Sequence, residues 1–305
     1  MDTETHHHDV VVIGGGAAGL SAALVLGRAR RRVAVIDAGE PRNAPAAHMQ
    51  GFLSRDGMPP ADLLAVARTE LRTYGIELID DSVAAVTRAP VPGLFALQLA
   101  GGSTLLARRL LLATGATDAV PAIPGARERW GRDLLHCPYC HGWEVRDRPL
   151  AVLATGPESV EYAHLLRQWS ADLVLLANGL AVSGPEREGL ARRGIRVVDG
   201  TVARLAVTDD RLEAVVLADG TAVRREAVFV RPSLRPRGGE LLEALAVEVD
   251  EGGFARVDGT GRTSAAGVWA AGNVANPRAQ VITAAGEGSA AAIAINADLV
   301  QEDAR

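Results

Sequence analysis

The residues that most restrict this chain stand near its start: "VVVIGGGAAGLSAALVLGRARRRVAVID", Val10 to Asp37. Val10 to Gly27 is an eighteen-residue run without charge, followed by "RARRR", a pattern that also suits a membrane anchor. The glycine spacing argues against that use. Val10–Ile13 reads as a buried strand, and Gly14, Gly16 and Gly19 then form G-x-G-x-x-G. Gly14 permits a tight turn, Gly16 lets the backbone approach a pyrophosphate, and Gly19 lets the following helix pack on the strand. The phosphates belong at the positive helix N-terminus, against Ala17 and Ala18. A second strand, Val33–Ile36, ends at Asp37, eighteen residues after Gly19, where a carboxylate meets ribose hydroxyls. Strand, glycine turn, helix, strand and terminal acid together predict a dinucleotide site.

The 305 residues suggest about two domains. A net charge of −5 leaves no basic field for nucleic acid or an anionic membrane. All 32 basic residues are arginine, which excludes Schiff-base catalysis and a P-loop lysine. The start, "MDTETHHHDV", is acidic and polar. No signal peptide is expected, the expected location is cytoplasmic, and residues 1–8 are expected to form a disordered, tag-like tail in which His6–His8 hold no metal.

Both cysteines lie in "HCPYCHGWE", residues 136–144. The spacing is open to a redox disulfide, a metal site or haem attachment. Haem attachment needs export. A zinc site usually draws ligand pairs from separate segments, whereas His136, Cys137, Cys140 and His141 are contiguous and His48 and His164 stand alone. No metal is expected.

Two further stretches carry a resemblance. "LLLATGA", Leu110–Ala116, looks like the strand and turn of the two-dinucleotide flavoproteins, and "GVWAAGNVANPRAQVITAAGEGSAAAIAIN", Gly267–Asn296, looks like their C-terminal flavin segment. With the cysteine pair lying between them, the order resembles the low-molecular-weight thioredoxin reductases over nearly the whole chain. The resemblance implies an α/β fold of two doubly wound dinucleotide-type domains, the second inserted into the first: an FAD domain at 9–116 and 238–305, and a second domain at 117–237 carrying the cysteines. It also implies a homodimer and FAD as cofactor. The residues it places at FAD are Gly14, Gly16, Ala17, Ala18, Gly19, Asp37, Arg42, His48, Val83, Ala113, Thr114, Gly115, Gly272, Asn273, Gln280 and Val281. At the ribityl position the family has Asp where this chain has Asn273, whose amide still offers an acceptor.

The second domain can be compared with the first by adding 140 to each position. Gly14 then maps to Ala154, Gly16 to Gly156, Gly19 to Ser159 and Asp37 to Ala177. Pro157 removes a backbone donor, and Glu158 sets a carboxylate where a pyrophosphate would arrive. "ANG", Ala177–Gly179, offers neither an arginine for a 2′-phosphate nor an acid for a free ribose hydroxyl. The nicotinamide half is expected to be lost.

The resemblance implies that Cys137 faces the substrate and Cys140 the flavin. The reductases place Asp after the second cysteine, and this chain has His141, an imidazole suited to proton transfer near neutral pH. His136 is a second candidate or a structural histidine. Tyr139 and Trp143 are candidates for the pocket lining. A "CPYCH" motif beside a degenerate nucleotide unit resembles the thioredoxin-reductase-like dithiol oxidases that close the disulfides of gliotoxin and holomycin. The expected function is therefore oxidation of a small-molecule dithiol, with oxygen as acceptor and hydrogen peroxide as product. A thioredoxin reductase using NADPH or ferredoxin, and a non-catalytic flavin sensor, stay open.

Overall fold

Val10–Ile13 form the enclosed part of β1 (His6–Ile13) in a computed structural model that describes residues 6–305. Gly14–Gly16 turn the chain into α1 (Ala17–Arg28), which returns it to β2 (Val33–Asp37), parallel to β1 with Val10 opposite Val33. The uncharged run is thus part of a strand and a twelve-residue helix. No helix among the described residues is long and apolar enough to cross a membrane. Next come α2 (Pro60–Arg72), β3 (Glu77–Asp80), β4 (Val83–Arg88), β5 (Phe95–Leu99) and β6 (Thr104–Leu112), and β7 (Ala116–Asp118) leads out of this unit.

The second unit holds α3 (Ala126–Arg129), β8 (Leu134–Leu135), α4 (Pro138–His141), β9 (Leu150–Leu153), α5 (Ser159–Leu166), β10 (Leu173–Leu176), α6 (Gly184–Arg192) and β11 (Arg196–Val198). A three-stranded meander, β12 (Val202–Thr208), β13 (Arg211–Leu217) and β14 (Ala222–Arg224), precedes β15 (Ala227–Val230). β16 (Leu234–Pro236) leads back and pairs with β7, so the outgoing and returning segments form one ribbon. α7 (Gly239–Ala244), β17 (Val268–Ala270) and α8 (Val281–Asp303) complete the first unit.

The first unit is built on a sheet ordered β3-β2-β1-β6-β5-β4, with β17 pairing to the far half of β6. Alternate residues feed opposite cores: Val11, Ile13 and Leu110 on one face, and Val10, Val12 and Leu111 with α1 and α8 on the other. Burial on both faces is why these strands read as unbroken apolar runs. α1 and α8 cross so closely that a methyl on Gly288 would lie 2.0 Å from Ala18 O. The second unit has a parallel sheet ordered β11-β10-β9-β15-β8 with the same two-faced burial.

Two expectations need correction. Residues 6–8 are not a tail: they extend β1 along the nine-residue β6, His6 opposite Leu105 and His8 opposite Ala107. A strand ladder is bonded through the backbone, so polar residues join it where a neighbour offers partners. His8 is buried with Nε2 2.9 Å from Glu77 Oε2, and no metal-competent cluster exists among the described residues. The rest of the expected tail, residues 1–5, lies outside the described residues. The second correction concerns residues 45–58, expected in the FAD domain. The first unit takes residues up to Ala44, Pro59–Thr117 and Leu234–Arg305; the second takes Pro45–Met58 with Asp118–Ser233. A methyl on Gly131 would meet Pro45 at 3.0 Å, a contact that a local reading of 45–58 does not reveal.

Candidate nucleotide cradle and redox disulfide

The cradle of the first unit is shaped by backbone approach. Gly14 has φ +111°, and a methyl there would lie 2.3 Å from Ala113 O, so only glycine fits. Gly14 N donates to Ile36 O at 2.7 Å, which holds the turn against the end of β2. A methyl on Gly19 would lie 1.9 Å from Gly14 O. Gly16 is different: it caps α1, and a Cβ there would meet no atom within 4 Å. The space over Gly16 is open, and the first turn of α1, beginning Ala17 and Ala18, holds no acid. An open helix N-terminus lined by small residues fits a pyrophosphate.

Asp37 stands against this turn, its Cγ 2.6 Å from where a methyl on Gly15 would sit. Arg68 on α2 hydrogen-bonds Asp37 and also donates to Asp80 at 2.9 Å. Nothing in the sequence singled out Arg68. Asp81 N donates to Asp37 O at 3.1 Å, which brings the start of β4 toward this end, where half-buried Val83 packs on the core. Ala113 N bonds Ile13 O at 2.8 Å, Thr114 Oγ1 donates to Arg237 O at 2.6 Å, and Gly115 turns with φ +76°.

The C-terminal segment meets the same unit. Gly272 N donates to Glu287 Oε2 at 3.0 Å, and Asn276 Nδ2 donates to Glu287 Oε1 at 2.6 Å. Asn273 Oδ1 accepts from Arg42 at 3.2 Å, while its Nδ2 donates to Asn276 O and Ala279 O at 2.9 and 3.0 Å. The amide therefore orders the turn that leads to Gln280, the N-cap of α8, and Val281. A carboxylate could not make the two donor bonds. The residues of the first unit fit FAD. His48 lies in the 45–58 segment of the second unit, exposed, with Nδ1 3.1 Å from Gly57 O.

The second unit repeats the scaffold without the opening. Ala154 N bonds Leu176 O at 3.0 Å, the counterpart of the Gly14–Ile36 bond. The space over Gly156, however, is occupied: a methyl there would lie 2.6 Å from Glu158 Oε2 and 2.8 Å from Oε1. Glu158 caps α5 and Glu161 adds a second acid in its first turn. Asn178 Nδ2 donates to Ala154 O at 3.2 Å, and its Oδ1 accepts from Val202 N at 3.0 Å.

Cys137 and Cys140 form a disulfide across α4. Cys137 is the N-cap, Pro138 starts the helix with its φ already suited, and Cys140 N donates to Cys137 Sγ at 3.1 Å. A methyl on Gly142 would lie 2.7 Å from Trp169 Cδ1, so this glycine lets Trp169 close on the turn. Tyr139 meets Trp169 edge-on at 5.5 Å. Tyr139 and Trp143 are 64% and 66% exposed, so neither is a core residue. The Arg146 guanidinium lies 3.9 Å over the Trp143 ring.

Burial holds the His141 imidazole below its ordinary value, against an opposing pull from Glu144. A ring neutral at neutral pH is ready to accept a proton. The His136 ring stacks on Trp130 at 5.4 Å, and its carbonyl accepts from the Tyr162 hydroxyl at 2.9 Å. Trp130, Tyr162 and Trp169 escaped the sequence reading. Only for Tyr162 was there a signal, a hydroxyl-bearing ring on the apolar face of the helix after Gly156.

A nucleotide cradle on one unit and a disulfide within a helical turn on the other define an FAD-dependent thiol/disulfide oxidoreductase with a thioredoxin-reductase-like, two-domain fold. The chain belongs to the pyridine nucleotide-disulphide oxidoreductase family, whose model matches residues 8–288. It is 54% identical to HlmI, whose crystal structure superposes with a TM-score of 0.95 over 99% of this chain and 96% of that one. The thioredoxin reductase TrxB of Bacillus anthracis is 34% identical, with a TM-score of 0.92 over 97% of this chain and 99% of that one. Thioredoxin reductase sirT of Leptosphaeria maculans is 32% identical over 297 residues, 92% of this chain and 90% of the relative.

Proposed function

We propose that the protein oxidises a small-molecule dithiol to a disulfide through the Cys137–Cys140 pair, with oxygen as the final acceptor. The carrying observation is the contrast between two equivalent glycines: the space over Gly16 is open, and the space over Gly156 holds the Glu158 carboxylate. A phosphate entering there must displace a negative group and then sit beside it. Electrons therefore enter from the thiol side.

A substrate thiolate attacks the Cys137 sulfur; the S–S bond breaks and Cys140 leaves as thiolate. The second substrate thiol gives its proton to neutral His141 and attacks the first substrate sulfur, the one bonded to Cys137 in the mixed disulfide. Cys137 leaves as thiolate, the product carries the new S–S bond, and two electrons remain on the enzyme pair. Bound FAD supplies the two-electron relay from this pair to oxygen, which becomes hydrogen peroxide. Exposed Tyr139 and Trp143 offer apolar contact to a compact substrate at the disulfide.

A second reading, a thioredoxin reductase, is favoured by the names of the curated relatives. An anaerobic titration separates the two. Bleaching of the flavin by a dithiol, but not by micromolar NADPH, together with dithiol-dependent oxygen uptake, supports the oxidase. Rapid bleaching by NADPH replaces it with the reductase.

A further inference from the structure

We propose that α5, whose N-terminus is closed to nucleotide, instead serves the disulfide, and that Tyr162 is the positioning residue through which it does so. The comparison of the two units shows the change. Position 22 on α1 is alanine, buried in the core between helix and sheet. Its counterpart on α5, 140 residues on, is Tyr162. Tyr162 reaches out of α5 to donate to His136 O at 2.9 Å, across 26 residues of sequence.

That carbonyl belongs to the peptide joining His136 to Cys137. The chain before it is held by β8, with Leu134 and Leu135 buried and paired to Val228 and Phe229. The chain after it is held by Pro138 at the start of α4. Cys137 O accepts from Cys140 N and His141 N at 3.2 and 3.1 Å, which holds the turn itself, and rotation of the His136–Cys137 peptide is a freedom by which its leading residue could turn. The Tyr162 hydrogen bond removes it, and the His136 ring lying flat on Trp130 limits the same residue from its side chain.

A peptide held this way matters most when the pair is reduced. The disulfide keeps Cys137 beside Cys140 by a covalent bond; the dithiol has only the surrounding structure to do so. Tyr162 thus raises the effective concentration of one thiol at the other and favours the disulfide. The role concerns the pair's own equilibrium, so it holds whether oxygen or a nicotinamide completes the electron path.

The test is Tyr162→Phe in the flavin-bound protein, equilibrated anaerobically in glutathione buffers. The dithiol fraction is read by alkylation and mass spectrometry of the peptide containing both cysteines. Loss of one hydroxyl leaves the packing of the ring in place. The equilibrium is expected to shift about fivefold toward the dithiol, ~20 mV for a two-electron couple. Ser159→Ala cuts a different hydrogen bond of α5, from Thr155 N to Ser159 Oγ, and is the control for general loosening; it should leave the equilibrium where it was. Trp130→Leu, which removes the plate beneath His136, should shift it in the same direction as Tyr162→Phe and provides a second route if that variant is insoluble. An unchanged equilibrium in Tyr162→Phe and Trp130→Leu, or an equal shift in Ser159→Ala, overturns the proposal.

Discussion

At the scale of single residues, glycines with one motif role make different demands. A side chain on Gly16 meets open space, so Gly16→Glu should fold, keep the apoprotein's melting temperature and lose flavin absorbance, because the added carboxylate occupies the phosphate's place. A side chain on Gly19 strikes Gly14 O, so Gly19→Val should fail to fold. Full flavin retention in Gly16→Glu would show the cradle to be wrongly placed. His141 makes the second prediction. Its folded pKa lies below the ordinary imidazole value because of burial, so the ring is neutral, and able to accept a proton, down to below about pH 6.5. Reduction of the flavin by dithiol should rise with pH through that lowered value and then level. His141→Ala should slow this half-reaction by about two to four powers of ten, and His141→Asp should move the acid limb lower. Stopped-flow at several pH values reads both. A rate unchanged in His141→Ala makes the residue structural.

At the scale of elements, α8 is held by charge as well as by its close crossing with α1. Arg109 pairs with Asp298 and Glu302, Arg108 with Asp9, Glu302 and Asp303, Arg31 with Asp303, and Arg262 with Asp298. Burial pushes the carboxyls of Asp9, Asp298 and Glu302 up, but arginine hydrogen bonds and charges, with the Arg32 N–H at Asp9, outweigh it and leave all three below the ordinary range. Groups with lowered folded pKa stabilise above their unfolded value, near 4, and lose that contribution as pH falls through the folded one. Hydrogen exchange should therefore show the last turns of α8 losing protection below about pH 4, before the sheet. Simultaneous loss would mean that the clasp contributes nothing separate. The spacing of apolar residues along α8 is legible in the sequence. The clasp is not, since it joins α8 to residues from β1, the loop between α1 and β2, β6 and the loop before β17, which adjacent sequence does not relate.

For the whole molecule, the same strand–turn–helix–strand scaffold occurs twice, with open space over Gly16 and the Glu158 carboxylate over Gly156. Micromolar NADPH is expected to leave the flavin oxidised under anaerobic conditions, whereas a small dithiol bleaches it and air restores it. Absorbance at the flavin band reads both, and rapid NADPH bleaching refutes the degenerate-site reading. The homodimer that the resemblance implies is checked by sedimentation. α8 exposes Ile293 and Val300 on one side, so Ile293→Glu tests whether that side joins two copies.

What the order of residues established was local or repeated. The glycine spacing, the buried strands on both sides of it, the pair of cysteines in one turn and the losses at Ala154, Glu158 and Ala177 all act within a few residues, through backbone conformation and helix ends. These parts were legible, and so was the two-unit architecture implied by resemblance. The misreadings were of long-range partners. His6–His8 became strand because β6 continues past the apolar residues, and the segment bearing His48 joined the second unit. Asn273 proved to be a donor through contacts its neighbours do not advertise, and Arg68 and Tyr162 gained roles from groups 31 and 26 residues away. A hydrogen bond between distant residues leaves no periodic trace in the sequence. It exists only once the sheet and helices have set the two groups about 3 Å apart.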